Sequence, residues 1–283
     1  MSVKLGIFAV PDATEPPATL DQIETADRTG LDLVGVQDHP YQRRFFDTWT
    51  LLSFAAARTE RIRFLTDVVN LPLRPPAMLA KAAASLDVLS GGRVELGLGA
   101  GAFWDAVEAM GGPRRTPKQS VDALEEAIPI LRGFWATEGP VSFEGDHYSV
   151  RGAKPGPAPA HRIRIWIGAY GPRMLRLTGR LADGWLPSLG GSYMSPDDVP
   201  AMQSAIDEAA RAAGRDPSEI ERGVNVMGLE GEPDTWAEQL ARVHDLGFST
   251  LLVGLPSEDA AGVVRRLGEE VRPRLVAMTG DSP

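Results

Sequence analysis

The sequence lacks the residues on which several classes of enzyme depend. Its 283 residues include no cysteine and only four histidines. The absence of cysteine excludes disulfides, thiolate catalysis, iron–sulfur clusters and cysteine-ligated zinc. The histidines are scattered and form no His-x-His pair, so we expect no metal site. Gly-x-Ser-x-Gly and Walker motifs are also missing, which argues against the hydrolases and nucleotide-binding proteins that carry them.

Positive charge is scarce as well. The formal net charge is −9, which argues against binding to nucleic acid or to an acidic membrane surface. No apolar run approaches the roughly 18 residues of a membrane span, and the chain runs from Met1 into a β-type segment without a signal peptide. We therefore expect a cytoplasmic protein whose partner is a small molecule.

Short β-type runs alternate with amphipathic helical stretches along the chain. Eight strands are predicted, at 3–9, 32–37, 61–69, 93–99, 163–168, 184–187, 222–228 and 250–254. Strict alternation implies a parallel sheet, and eight units in about 270 residues imply a single (β/α)8 TIM barrel. An open eight-stranded sheet is the alternative. The barrel is expected to span residues 1–275, followed by a flexible tail at 276–283.

Local signals add detail to this outline. A capping box at Thr19–Gln22 predicts the start of the first helix, and Asp47 is expected to cap the second. The third helix is expected to turn Leu79, Ala82, Leu86 and Leu89 inward. The long connection 137–161 is predicted to hold a β-hairpin around Gly145 and Asp146, leaving the barrel between its fourth helix and fifth strand.

The carboxyl ends of the strands are where active sites lie in such barrels. His39 is the only histidine at such an end, and it follows Asp38. A lone histidine is more often structural, but this position beside a carboxylate favours a proton-transfer role. The third strand ends in Asp67-Val-Val-Asn70, and the fourth in Gly97-Leu-Gly-Ala-Gly101, where backbone can approach a flat or anionic ligand.

The turn after the fifth strand, Gly168-Ala-Tyr-Gly-Pro172, opens a helix whose amides favour a phosphate. Arg173 opposes the helix dipole there, so a phosphate partner would explain it, and a solvated arginine is the alternative. Glu95, on the fourth strand, is expected to point into the barrel and to form a structural ion pair with Arg63 or Arg164.

With these strand ends located, the chain resembles the luciferase-like monooxygenase superfamily, particularly its members that use the deazaflavin coenzyme F420. The resemblance covers nearly the whole chain, and its motifs are specific in combination. They are Asp38-His39 and the segments 70–76 (NLPLRPP), 86–93 (LDVLSGGR), 95–101 (ELGLGAG), 168–172 (GAYGP) and 179–185 (GRLADGW).

The resemblance implies a barrel with a non-prolyl cis peptide at Asp67–Val68, pressing on the ring of the cofactor. It places Asp38 and Asn70 at the ring, Tyr170, Gly171 and Arg173 near the phosphate, and His39 as the catalytic acid or base. Together with the strand ends, it predicts the cofactor-binding set Asp38, Asp67, Val68, Asn70, Gly99, Ala100, Gly101, Ala169, Tyr170, Gly171, Pro172 and Arg173.

Two departures bear on the cofactor and the substrate. FMN-dependent relatives often carry Glu-His-His where this chain has Asp38-His39-Pro40, which favours F420 over FMN. Sugar-phosphate dehydrogenases of the family carry a glutamate where this chain has Ala102, which argues against a sugar phosphate. The leading hypothesis is hydride transfer between F420 and a small organic substrate. An FMN-dependent monooxygenase and a flavin-binding protein without turnover are the alternatives.

The second helix predicts the oligomeric state. Residues 49–57 (WTLLSFAAA) are apolar on most of the helix circumference, whereas an outer helix of a barrel needs one buried stripe. We expect a homodimer that covers the excess, and the resemblance implies the same region. The alternative is that small alanines leave little exposed area in a monomer.

Overall fold

The predicted barrel is confirmed in the computed structural model, which describes residues 3–280. Parallel strands follow one another around a closed ring, because the last strands of the path pair with one another and with the first. In ring order the strands are β1 (Lys4–Ala9), β2 (Leu33–Val36), β3 (Arg63–Thr66) with β4 (Val69–Asn70), β5 (Val94–Gly99), β8 (Ile165–Ile167), β9 (Gly184–Trp185) with β10 (Ser188–Leu189), β11 (Glu221–Val226) and β12 (Thr250–Gly254).

Helices connect these strands on the outside. They are α1 (Pro16–Arg28), α2 (Thr48–Ala56), α3 (Pro76–Ser90), α4 (Trp104–Ala109), α5 (Pro117–Ala136), α6 (Pro172–Leu181), α7 (Val199–Ala212), α8 (Pro233–Asp245), α9 (Ala260–Arg266) and α10 (Arg272–Thr279). The carboxylate of Asp47 accepts a hydrogen bond from the Thr50 amide and caps α2 as predicted. Among the described helices, none is long and apolar enough to span a membrane.

The barrel interior is filled by side chains rather than open. Leu33, Leu65, Trp166, Leu186 and Leu252 form a buried layer across the lumen. The intervening residues of each strand face outward and pack against the helices. This alternation delivers the residues that follow each strand to one rim of the barrel.

The structure corrects two local predictions. The first helix begins at Pro16 rather than at Thr19, because prolines at 16 and 17 occupy the first turn, where a missing N–H costs nothing. The Thr19 hydroxyl instead donates to the carbonyl of Asp12. Leu89 is 84% exposed and does not face the core, whereas Leu79 and Leu86 do.

The excursion between α5 and β8 contains the predicted hairpin, formed by β6 (Val141–Glu144) and β7 (Ser149–Ala153). The carboxylate of Glu126 on α5 accepts hydrogen bonds from the amides of Asp146, His147 and Tyr148, which fixes the turn against the outer helix. At the other end of the chain, α10 runs to Thr279, and residues 281–283 of the predicted tail lie outside the described residues.

Candidate active site

Asp38 and Arg74 form a buried ion pair at the end of β2. Asp38 is 1% exposed, and its two oxygens accept hydrogen bonds from Arg74 Nε (2.7 Å) and Nη2 (2.6 Å). The backbone amide of Asn70 donates to the same carboxylate (3.0 Å). The resemblance implies that Asp38 contacts the ring of a cofactor, but both of its oxygens accept hydrogen bonds from within the chain. Asp38 therefore acts here as an anchor that joins the ends of the second and third strands.

His39 lies in a small aromatic cluster at the rim. Its Nδ1 is 2.7 Å from the Tyr41 hydroxyl, and its ring packs edge-on against Phe103 at 5.8 Å between centroids. Burial lowers the pKa of His39, and the negative charge of Asp38 offsets only part of this effect. The imidazole is therefore neutral at neutral pH, and within residues 3–280 no protein group is bonded to Nε2. A neutral imidazole with one free nitrogen can accept a proton.

The end of the third strand is built around the predicted cis peptide between Asp67 and Val68, which the structure confirms. The two glycines of β5 that face this bend give it room. A Cβ on Gly99 would lie 2.8 Å from a Val68 methyl, and one on Gly97 would lie 2.0 Å from the Thr66 carbonyl oxygen. Glycine is required at both positions so that the bend can pack directly against β5.

Three buried acceptor atoms surround this bend without a hydrogen-bond partner. They belong to Asp67 (Oδ2), Asn70 (Oδ1) and Asn225 (Oδ1), each in a residue no more than 6% exposed. A buried amide oxygen without a partner is costly, so Asn70 and Asn225 at these strand ends point to a ligand that brings donors. Asn70 belongs to the predicted set; Asn225, on β11, does not.

The turn after β8 places Ala169, Tyr170 and Gly171 at the rim, followed by α6, which begins at Pro172 with Gly171 as its N-cap. The Tyr170 hydroxyl accepts a hydrogen bond from the Ser188 amide (2.7 Å) and ties this turn to the neighbouring strand. No side chain caps the helix, and because its first residue is Pro172, the amides of Arg173 and Met174 are the uncapped donors of its first turn. The geometry suits an anion, as the sequence indicated.

Arg173 has a different partner from the one that the sequence suggested. Its guanidinium pairs with Asp122 on α5 and donates to the Lys118 carbonyl. A carboxylate of the chain itself thus compensates the cation at this helix N-terminus, and no phosphate is needed to explain it.

The opposite end of the barrel carries a separate charge network. Glu95 pairs with Arg63 at 2.6 Å, which confirms the predicted structural ion pair. Arg164 contributes its backbone amide to Glu95 (2.8 Å), while its guanidinium pairs with Glu221. These residues lie below the apolar layer, at the face that stabilises such barrels rather than the one that catalyses.

The structure adds five residues to the predicted site, namely Tyr41, Arg74, Phe103, Ser188 and Asn225. Arg74 lies within the segment 70–76 that carries the resemblance, and Tyr41 is two residues beyond His39, so both had a signal in the sequence. Phe103 adopts a positive φ of 57° just past the glycines of β5. Ser188 and Asn225 reach the site only through the closure of the barrel.

Comparison with known proteins agrees with the resemblance. The chain is 28% identical to an F420-dependent glucose-6-phosphate dehydrogenase of Intrasporangium calvum over 96% of this chain and 99% of that protein. It is 34% identical to an uncharacterised protein of Mycobacterium tuberculosis over 74% of this chain and 68% of that protein.

Solved structures share the fold. An F420-dependent secondary alcohol dehydrogenase in complex with an F420–acetone adduct superposes with a TM-score of 0.87 at 21% identity, covering 97% of this chain and 99% of that one. An F420-dependent tetrahydromethanopterin reductase from Methanopyrus kandleri gives 0.83 at 21% identity, over 97% of this chain and 100% of that one. The family model for luciferase-like monooxygenases matches residues 3–228. The chain therefore belongs to the luciferase-like monooxygenase family, as its sequence motifs predicted.

Proposed function

We propose that this protein is an F420-dependent oxidoreductase that moves a hydride between the deazaflavin and a small organic substrate. The observation that carries the proposal is the neutral His39 imidazole, with a free Nε2, at the rim where the cis peptide and the unpartnered acceptors meet. F420-dependent enzymes among the relatives and the structural neighbours support the choice of cofactor.

The residues at the rim fit a deazaflavin. One edge of its ring system carries alternating carbonyl and N–H groups, which complement the unpartnered Oδ1 of Asn70. Val68 and the glycines Gly99 and Gly101, with Ala100 between them, would lie against the flat ring. Asp38 would act on the ring indirectly, because its carboxylate accepts a hydrogen bond from the backbone amide of Asn70 and so positions that residue.

The phosphate would lie at the N-terminus of α6, beside Ala169, Tyr170, Gly171 and Pro172. The amides of the first helical turn supply the donors there. Arg173 would add a local positive charge that is already paired with Asp122, so its contribution to phosphate binding would be small.

The cofactor would supply a carbon that accepts or releases a hydride. The protein handles the proton. In the tautomer in which Nδ1–H of His39 donates to the Tyr41 hydroxyl, Nε2 carries the lone pair that takes the proton of a substrate hydroxyl. Tyr41 and Phe103 hold the imidazole on two sides and limit the access of water.

The substrate is expected to lack a phosphate. Ala102 stands, exposed, where the sugar-phosphate dehydrogenases of the family carry a glutamate. Two arginines near the rim, Arg74 and Arg173, are each engaged by carboxylates of the chain. A neutral alcohol or ketone agrees with this arrangement better than an anion.

A panel of neutral secondary alcohols and ketones, assayed with F420 and with reduced F420, tests the function. We expect turnover in both directions. In each direction the rate under argon should equal the rate in air, because hydride transfer uses no oxygen. The FMN monooxygenase alternative requires turnover with reduced FMN and oxygen and none under argon. If the protein binds F420 but turns over no compound of the panel, the alternative of a flavin-binding protein without turnover would be favoured.

The homodimer is a further proposal. The structure leaves less apolar surface on α2 to support it than the sequence suggests. Most apolar residues of α2 are buried within the chain, including Leu51, Leu52 and Ala55, so the helix is less exposed than its sequence suggests. Phe54 is 53% exposed, and on α3 Met78 and Leu89 are 66% and 84% exposed. We infer that these outer faces of α2 and α3 meet a second copy of the chain.

Light scattering at micromolar concentration checks the dimer. We expect twice the chain mass of 30.4 kDa and a fall toward that value for Phe54→Glu, because a carboxylate cannot be buried there without a partner. Met110→Glu, at an exposed methionine outside this surface, is the matched control. A wild-type mass of one chain would refute the proposal.

A further inference from the structure

Asp67 is the exception among the buried aspartates of the described chain. Asp38, Asp87 and Asp183 each accept hydrogen bonds from at least two donors. Asp67 accepts one, from Asn225 Nδ2 at 3.1 Å, and its Oδ2 has no partner. No salt bridge reaches it within residues 3–280. A carboxylate in such surroundings is poorly stabilised in its charged form.

The elements packed around Asp67 supply no cation. On β2, Gly35 lies so close that a Cβ there would be 2.7 Å from Oδ2, and β12 contributes Leu252 beside it. The glycines of β5 face the neighbouring Thr66 and Val68, and β11 contributes the neutral Asn225. Among the ionisable groups of this rim, Tyr170 interacts with the charge of Asp67, whereas Asp38 is paired with Arg74 and His39 with Tyr41.

Burial raises the pKa of Asp67 to about 7, against a smaller opposing effect of the Asn225 hydrogen bond. Burial also raises the pKa of Tyr170, and the negative charge of Asp67 raises it further. Asp67 is 6% exposed, so a flat ligand over the bend at Val68 would remove its remaining water. The neutral form would then be favoured further.

We propose that Asp67 is a second proton-holding residue of the site, one that takes up a proton when the cofactor binds and keeps the floor beneath the ring neutral. The inference rests on the proposed function. In the proposed reaction the cofactor would supply the hydride acceptor, and His39 would take the hydroxyl proton of the substrate. Asp67 exchanges no proton in this step. Its neutrality removes the repulsion that a carboxylate would exert on the electron pair arriving on the ring.

Calorimetric titration of the full-length protein with F420 tests this without turnover. Measured at pH 7.5 in two buffers of different ionisation enthalpy, the titration reports the protons taken up on binding. With a pKa of about 7 in the free protein, up to about three quarters of a proton should enter Asp67. Asp67→Asn, which keeps the size and the neutral charge, should take up less than the wild type by that amount. Protons exchanged by the cofactor itself cancel in the difference.

The pH dependence of affinity gives a second readout. Because binding raises the pKa, the affinity of the wild type is full below pH 7 and is lost as the pH rises, approaching a tenfold weakening per pH unit. Asp67→Asn should lose this dependence and retain the affinity of the wild type at low pH. Asp105→Asn, at a carboxylate on the same rim whose side chain is 96% exposed, should behave as the wild type.

His39→Gln separates the two ionisable groups and serves if Asp67→Asn does not fold. Proton uptake that persists in His39→Gln supports Asp67, whereas uptake that disappears there assigns the proton to His39 and overturns the inference. Equal uptake in the wild type and Asp67→Asn would also overturn it while leaving the proposed function intact. Failure of the wild type to bind F420 would overturn both.

Discussion

Replacing His39 with alanine is expected to lower turnover by about 10²–10⁴ while leaving the affinity for the cofactor nearly unchanged. The reason is the division of labour at the rim. Among residues 3–280, Nε2 of His39 has no hydrogen-bond partner, whereas the groups that would hold the ring lie at the ends of β3, β4 and β5. Steady-state kinetics with the best substrate of the panel, beside a binding titration of F420, measures both quantities.

The pH profile carries the same prediction. Because burial lowers the pKa of His39, its neutral, proton-accepting form persists below the usual value of 6.5. Alcohol oxidation by the wild type should fall only at more acidic pH, as the imidazole becomes protonated, and the variant should lack this limb. His147→Ala, in the hairpin, is the matched control and should match the wild type. Unchanged turnover in His39→Ala would remove the residue from the mechanism.

Replacing Arg74 with methionine is expected to destabilise the fold by about 3–5 kcal/mol, because it leaves the carboxylate of Asp38 buried without its partner. Asp38 is 1% exposed and Arg74 provides two of its three hydrogen bonds. Chemical denaturation followed by tryptophan fluorescence measures the free energy of unfolding. The double variant Asp38→Asn/Arg74→Met should recover much of the loss, since no buried charge then remains.

Arg114→Met tests whether the effect depends on burial. Arg114 also pairs with two carboxylates, Asp105 and Glu108, but all three lie on the surface of the α4 region. Solvent screens such pairs, so no measurable change in stability is expected. Equal destabilisation by Arg74→Met and Arg114→Met would contradict the assignment of Asp38 and Arg74 as a buried anchor.

The sequence predicted the parts of the molecule that are written in local patterns. The bounds predicted for the eighth strand, 250–254, are those of β12, and α6 begins at Pro172, in the turn that was predicted to open a helix. His39 and Asp38 were found because they directly follow a predicted strand. The cis peptide at Asp67–Val68 came from the resemblance, not from the pattern.

What the sequence missed are contacts between distant segments. Asp38 and Arg74 are separated by 36 positions, and Asp67 and Asn225 by 158. Neither separation follows from a helical or strand period, because the closure of the barrel brings these residues together. The same limit applies to Arg173, whose partner Asp122 lies on a different helix. Charge and local position suggested a phosphate, whereas tertiary packing supplied a carboxylate.

The most direct measurement is the affinity of the protein for F420 compared with FMN, followed through the fluorescence of its six tryptophans. If the rim is built for the deazaflavin, F420 should cause a saturable change and bind at least about tenfold more tightly than FMN, a difference of about 1.4 kcal/mol. Tighter binding of FMN, or no response to F420, would contradict the assignment of the cofactor and the hydride-transfer function that depends on it.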